Sequence, residues 1–201
     1  MKKLVSVFML FVLALCLAGC SSLPSRSELN ALSEAVNSLD ALLTEIEGGP
    51  QESTIHRIPI EPQVFEDQSV TITLVGVEEI MEVPAFYPAP PAEGHRFVVF
   101  EFDIRNANNG DFAVSSLLNF IARAGGEEHI FSMPALVALE REFTQLDFVV
   151  SPDESKSGLI GFELPIMASV IEIEYQGSAV YTKSDNTEAE KLTSHIFTYE
   201  R

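Results

Sequence analysis

Residues 95–106, HRFVVFEFDIRN, constrain this chain more than any other stretch. Val98, Phe100, Phe102 and Ile104 alternate with Val99, Glu101, Asp103 and Arg105, the period of a half-buried β-strand. Residues 106–111 then stop it, because Asn and Gly tolerate the positive φ that a reversal needs. A strand with so apolar an even face requires a second sheet to cover it.

Other segments supply that sheet. Val70, Ile72 and Leu74 face one way with Thr71 and Thr73 opposite. Residues 112–123 read as one further strand with Phe120 and Ala122 inside, turned back at Gly125-Gly126 into a hairpin. Leu146, Phe148 and Val150 alternate, as do Ile160, Phe162 and Leu164, and Ile171, Ile173 and Tyr175. Residues 57–64 contain Pro59 and Pro62 and are restricted to an edge strand or an extended lead-in. Residues 133–144 are expected to form a helix of one to three turns or a long connection, and 182–190 a solvated loop. Strands without alternating helices predict an all-β fold, an antiparallel, immunoglobulin-like two-sheet sandwich of about seven to eight strands.

The first fifty residues carry a different pattern. Lys2 and Lys3 precede an apolar run, Leu4 to Leu17, too short for a permanent membrane span, which is the layout of an export signal. Leu17-Ala18-Gly19-Cys20 resembles the lipobox of bacterial lipoproteins. The resemblance implies cleavage before Cys20, thioether attachment of diacylglycerol to it and acylation of the new amino terminus, hence stable anchoring on an extracytoplasmic membrane face. Cys16 leaves with the signal and Cys20 carries lipid, so no thiol remains for a disulfide and the domain must hold by burial alone.

After a short linker, Ser27 is a candidate N-cap, and Leu29, Leu32, Val36, Leu39, Leu43 and Ile46 repeat at alternating spacings of three and four. Gly48-Gly49-Pro50 closes the helix. The heptad seam over 29–46 reads either as a short coiled coil that oligomerises the protein or docks it to an envelope partner, or as an amphipathic helix on its own domain or a mobile stalk. Fewer than three heptads, with one arginine against five carboxylates, favour the second reading. The expected organisation is therefore a signal peptide (1–19), lipidated linker (20–27), amphipathic helix (28–47), linker (48–56) and sandwich (57–201), with 179–201 an edge strand or C-terminal extension.

Charge narrows the partners. The chain has 12 Lys and Arg against 30 Asp and Glu, and the signal takes two of the lysines with it. So acidic a surface repels phosphate backbones and excludes nucleic acid as an expected partner. Residues 83–94 hold four prolines, which favour extended backbone, and Phe86 and Tyr87 lie among them. These two aromatics form a candidate partner-binding loop, or else they cap one end of the sandwich.

The order of these elements resembles the telokin-like, immunoglobulin-like domain of unknown function found in bacterial lipoproteins, related in fold to a secreted mycobacterial immunoprotective protein. The matching pieces are 70–77 (VTITLVGV), 97–106 (FVVFEFDIRN), 119–126 (NFIARAGG) and 151–165 (SPDESKSGLIGFELP). They include a strand ending in Asn106 and the spacing Gly158-x-x-x-Phe162-x-x-Pro165. Asp153 stands where the family's turn often has Gly, a position Asp can take at modest cost. The resemblance spans roughly residues 57–175 and implies a fold and a surface address, with no catalytic residues to carry over.

Catalytic patterns are sparse. Gly-x-Ser-x-Gly, Ser-x-x-Lys, His-Glu-x-x-His and Walker-type loops do not occur. The histidines stand apart at 56, 95, 129 and 195; His95 and His129, each near carboxylates, could share a metal only if the fold joined them. Asp153-Glu154-Ser155-Lys156 lies between two strands and reads as a turn rather than an acid–base pair. The expectation is a non-enzymatic, cofactor-free and metal-free envelope lipoprotein. Its domain would bind a protein or envelope component through loops at one end; the alternative is a structural or assembly subunit working through the heptad helix.

Overall fold

The computed structural model describes residues 52–84, 87–177, 179–181 and 188–201. The signal peptide, Cys20, the heptad helix 28–47 and Phe86 lie outside the described residues.

The apolar strand is β4 (His95–Asn106), and it runs through the middle of a sheet. On one side it pairs with β3 (Val70–Glu82) and on the other with β9 (Ser155–Pro165), both antiparallel. Val98, Phe100, Phe102 and Ile104 are fully buried. At Phe100 the rung is apolar throughout, with Val77, Phe100 and Ile160 side by side across three strands. Burying a phenylalanine stabilises by roughly 2–3 kcal/mol, and five rings of this core are fully inaccessible around Phe100 and Phe102.

β3 carries a bulge between Leu74 and Gly76, where one extra residue, Val75, lies opposite the 101–102 step. The bulge inverts the parity of the strand. Val70, Ile72 and Leu74 point inward before it; Val77 and Glu79 do so after it. The outer edge of β3 is covered by β1 (Thr54–Ile58) and β2 (Gln63–Asp67), which follow one another along the same edge. Pro59 and Pro62 fall in the gap, where no ladder donor is needed. The domain's first strand thus begins at Thr54, three residues ahead of the expected boundary.

The covering layer consists of two further sheets. In one, β10 (Val170–Tyr175) lies between β13 (His195–Glu200) and β6 (Phe120–Ala124), with β7 (Glu127–His129) beyond. In the other, β5 (Asp111–Val114) pairs with β8 (Phe148–Val150) and β11 (Ala179–Tyr181), and β11 with β12 (Glu188–Lys191). The layers meet through aromatic rings: Phe102 lies 5.2 Å from Phe120 and 5.2 Å from Phe197, and Phe100 lies 6.2 Å from Tyr199. The edge of β13 is closed by a side chain. Gln63 donates Nε2–H to the Thr198 carbonyl (2.5 Å) and accepts the Thr198 N–H (2.9 Å), imitating a strand partner.

The architecture is a mostly β, antiparallel sandwich, and it corrects several expectations. Thirteen strands in three sheets occur among the described residues, against seven to eight expected. Residues 112–123 are not one strand. The chain leaves β5, makes the single turn α1 (Ser116–Asn119) and enters β6 in a different sheet. Asp147, from another part of the chain, accepts the Ser116 N–H (3.1 Å), so a distant carboxylate caps the turn that Ser115 does not. Glu188–Lys191 is a strand, although it falls largely in the stretch expected to be a solvated loop.

β4 also departs from the half-buried pattern, because Phe97 and Val99 on its other face are buried too. With Ile80 they pack against Ala135 and Leu136 of α2 (Met133–Val137) and against Ala138 and Leu139. The short helix comes close to β9. An added Cβ on Gly161 would lie 2.7 Å from Ala135 Cβ and 3.0 Å from the Ser132 carbonyl oxygen. The glycine is what lets the helix seat there.

The 106–111 segment ends β4 as expected, but none of its residues takes the positive φ expected there; side-chain hydrogen bonds of Asn106 shape the reversal instead. Asn106 is fully buried; its Nδ2 donates to the carbonyls of Gly110 (2.7 Å) and Val150 (3.0 Å), and its Oδ1 accepts the Asn108 N–H (3.0 Å). Asp153 takes φ 62°, the left-handed conformation expected where related turns use glycine.

Candidate binding surface at one end of the sandwich

Four segments converge where β4 begins and β9 ends. The proline-rich connection enters β4 through Gly94 at φ 79°, a value that favours glycine. The Gly94 carbonyl accepts the N–H of Ile166 (2.9 Å), which joins the β9–β10 turn to the start of β4. Gly125 and Gly126, at φ 62° and 85°, reverse β6 into β7 beside Pro165. From β7 the chain crosses to the outer edge of β9, where Phe131 bridges Phe162 and Ser132 donates to the Gly161 carbonyl (2.7 Å).

An open cleft of about 450 Å³ lies between these segments, lined by His95, Glu128, His129, Ile130, Phe131, Ser132, Met133, Pro134 and Glu163. Its character is mixed, with carboxylates and imidazoles beside exposed apolar groups. Ile130 is 69% exposed, and Met167, at the tip of the neighbouring β9–β10 turn, is 90% exposed. So exposed a methionine on a well-formed turn contributes nothing to the core.

A buried ion pair holds that turn from beneath. Arg96 has the inward parity of Val98, and its guanidinium donates to the carbonyls of Pro165 (3.1 Å), Ile166 (2.6 Å) and Ala168 (3.3 Å). Its charge is met by Glu79, 3.2 Å away, placed inward by the β3 bulge. The Tyr199 hydroxyl donates to Glu79 (3.0 Å), and Arg201 Nε lies 3.4 Å from its other oxygen. Burial, with the Glu79 charge and hydrogen bond adding to it, pushes the Tyr199 phenol up to about 12. Sequence reasoning passed over Arg96 and Glu79. A signal was present for Arg96, the one cation in step with Val98, Phe100, Phe102 and Ile104. None was visible for Glu79, whose inward direction depends on the bulge.

The fold brings His95 and His129 to the same cleft, the condition on which a shared metal depended. His95 Nδ1 lies 3.2 Å from the Glu93 carbonyl and His129 Nε2 lies 3.4 Å from the Ala124 carbonyl. Among the described residues, no three His, Cys, Asp or Glu side chains are grouped so as to hold a metal ion. Of the aromatic pair in the proline-rich connection, Tyr87 is half-buried beside the cleft. Its hydroxyl donates to the Pro134 carbonyl (2.5 Å), its ring meets Phe97 edge-on at 6.4 Å, and burial raises its phenol pKa. Tyr87 therefore secures α2 rather than standing free. Glu154 and Lys156, 3.9 Å apart, flank the end of the 151–154 turn, away from any cleft residue. No helix among the described residues is long and apolar enough to cross a membrane.

No family model matches the chain, and no curated protein matches it. Among solved structures, the chain is similar to a putative lipoprotein from Bacillus subtilis, at 13% identity and a TM-score of 0.50, over 70% of this chain and 39% of that one. It is also similar to a functionally unknown protein from Listeria monocytogenes, at 12% identity and a TM-score of 0.48, over 76% and 89% of the two chains. An uncharacterized β-sandwich protein from Clostridium difficile matches at 13% identity and a TM-score of 0.41, over 70% and 92%. The chain spans well under half of the Bacillus subtilis protein, with which it shares a fold.

Proposed function

We propose that this chain is an exported, lipid-anchored cell-envelope protein whose immunoglobulin-like, telokin-like sandwich is a non-catalytic binding module. One observation carries the reading: the interior is filled by packed side chains, while one end presents an open cleft lined by exposed Ile130, with exposed Met167 on the neighbouring β9–β10 turn. Loops at the end of a rigid sandwich are where such folds place recognition.

Two further points support it. The order β3–β4–β9 facing β13–β10–β6–β7 has the pairings of immunoglobulin strands A, B and E against G, F, C and C′. Lys2, Lys3, the apolar run and Leu17-Ala18-Gly19-Cys20 supply the address, in keeping with the Bacillus subtilis putative lipoprotein that shares the fold.

The test is capture from envelope extract of the source, using residues 21–201 beside 51–201. A partner retained by both and lost on Ile130→Ser/Met167→Ser is the expected result. A partner lost with the helix would move the function to the stalk. Cys20→Ala should release the protein from the membrane fraction; retention there would end the anchoring part of the reading.

A further inference from the structure

We propose that the cleft takes a cationic, apolar-flanked peptide segment of a partner protein. This rests on the binding-module reading and adds the chemistry of its ligand.

The argument is one of unmet charge. Three arginines belong to this end of the sandwich, and all are committed. Arg96 and Arg201 share Glu79. Arg123 is divided between Glu128, 3.0 Å away, and Glu174. Glu93, Glu127 and Glu163 are left without a cation among the described residues; Glu163 receives only the Ala92 N–H, at 2.8 Å. Glu163 faces the cleft, Glu127 stands on the adjoining hairpin, and Glu93 precedes His95. Negative potential focused in a concave site attracts a cation and disfavours a phosphate-bearing surface, so anionic lipid and nucleic acid are poor occupants.

The exposed apolar groups decide which cation. Exposed Ile130 and Met133 line the cleft, with exposed Met167 on the neighbouring turn, and an inorganic ion makes no use of them. Nor do three metal-ligating side chains group among the described residues. A lysine or arginine side chain that reaches Glu163 while neighbouring apolar residues cover Ile130 and Met167 uses both features. The conformation of the turn that carries Met167 is set by the three carbonyls Arg96 holds, so its apolar tip is presented preformed.

The test uses the soluble chain without the lipid-accepting cysteine, residues 21–201, and three labelled probes read by fluorescence anisotropy. These are a short peptide of alternating lysine and leucine, its glutamate-for-lysine counterpart and its serine-for-leucine counterpart. The lysine–leucine probe is expected to bind at least about tenfold tighter than either counterpart. Its affinity should fall as salt rises from ~0.1 to ~1 M, where the screening length drops from about 10 to about 3 Å. Glu127→Gln/Glu163→Gln and Ile130→Ser/Met167→Ser should each weaken it by roughly tenfold with thermal midpoints unchanged. Glu61→Gln/Glu66→Gln, away from the cleft, should leave it as it was. Equal weakening by the cleft and distant variants would mean general acidity and overturn the proposal, as would equal binding of the glutamate probe or displacement by zinc or calcium. If envelope capture persists while the lysine probe ignores the cleft, the peptide chemistry is wrong and the module reading stands. If capture fails as well, both fall.

Discussion

Arg96 and Glu79 form an ion pair 3.2 Å long in which both side chains are almost wholly buried, one on β4 and the other just past the bulge of β3. Neither charge is left to one partner, since Arg96 also donates to three carbonyls and Glu79 also accepts from Tyr199. Removing one member of such a pair leaves an uncompensated charge, at a cost of about 3–5 kcal/mol. Arg96→Met and Glu79→Leu should each lose about that much in urea denaturation, and the double variant much less than their sum. Simple additivity would show that the pair is not coupled.

Tyr199 gives the same network a pH signature. Its phenol titrates at about 12 in the folded chain, against an ordinary value near 10. A raised pKa favours the protonated form in the folded state, so its contribution is complete below pH ~10 and fades as pH rises through ~12. Stability should fall across that window by up to about 2 kcal/mol from this group. Tyr199→Phe should lower stability at neutral pH through the lost bond to Glu79 and make the alkaline decline shallower. An unchanged slope would remove Tyr199 as its source.

Gly161 is required by close approach rather than by its own dihedral angles. A methyl there would meet Ala135 Cβ at 2.7 Å and backbone at 3.0 Å, so either α2 or β9 must shift. Gly161→Ala is expected to cost about 1–3 kcal/mol, the usual range for overpacking. Gly161→Ala/Ala135→Gly should recover part of it; no recovery would show that the Ser132 carbonyl is the harder obstacle.

The β2–β3 reversal offers the opposite case. Gln68 and Ser69 sit at φ 46° and 65° in a two-residue hairpin turn that glycine and asparagine normally fill. Each L-residue there carries a left-handed penalty of roughly 1 kcal/mol. Gln68→Asn/Ser69→Gly should therefore raise the urea midpoint by an amount equivalent to about 0.5–1 kcal/mol, after the entropy cost of glycine. A lower midpoint would mean that the native side chains make compensating contacts.

Much of the fold was legible because a sheet core writes itself into a period of two. β4, β9 and β10 lie where their alternation places them, and Asp153 and the Gly125-Gly126 hairpin behave as turn chemistry requires. The candidate site was legible only in pieces. His95 and His129 could be named from the sequence, but their meeting depends on the crossing from β7 to β9. Tyr87 could be named as well, yet its role in holding Pro134 depends on where α2 lies.

By itself the sequence determined most of the strand-forming segments and the turns between them, because each is written in neighbouring residues. Tertiary structure alone decided what depends on distant residues meeting. The extra residue in β3 turned Glu79 inward, where Arg96 could hold it. The single helical turn after β5 sent one apparent strand into two sheets. A short helix buried the second face of β4, and four loops far apart in the chain closed around one acidic, apolar cleft. Alternation specifies which residues share a face, but which element covers that face is settled only when the whole chain packs.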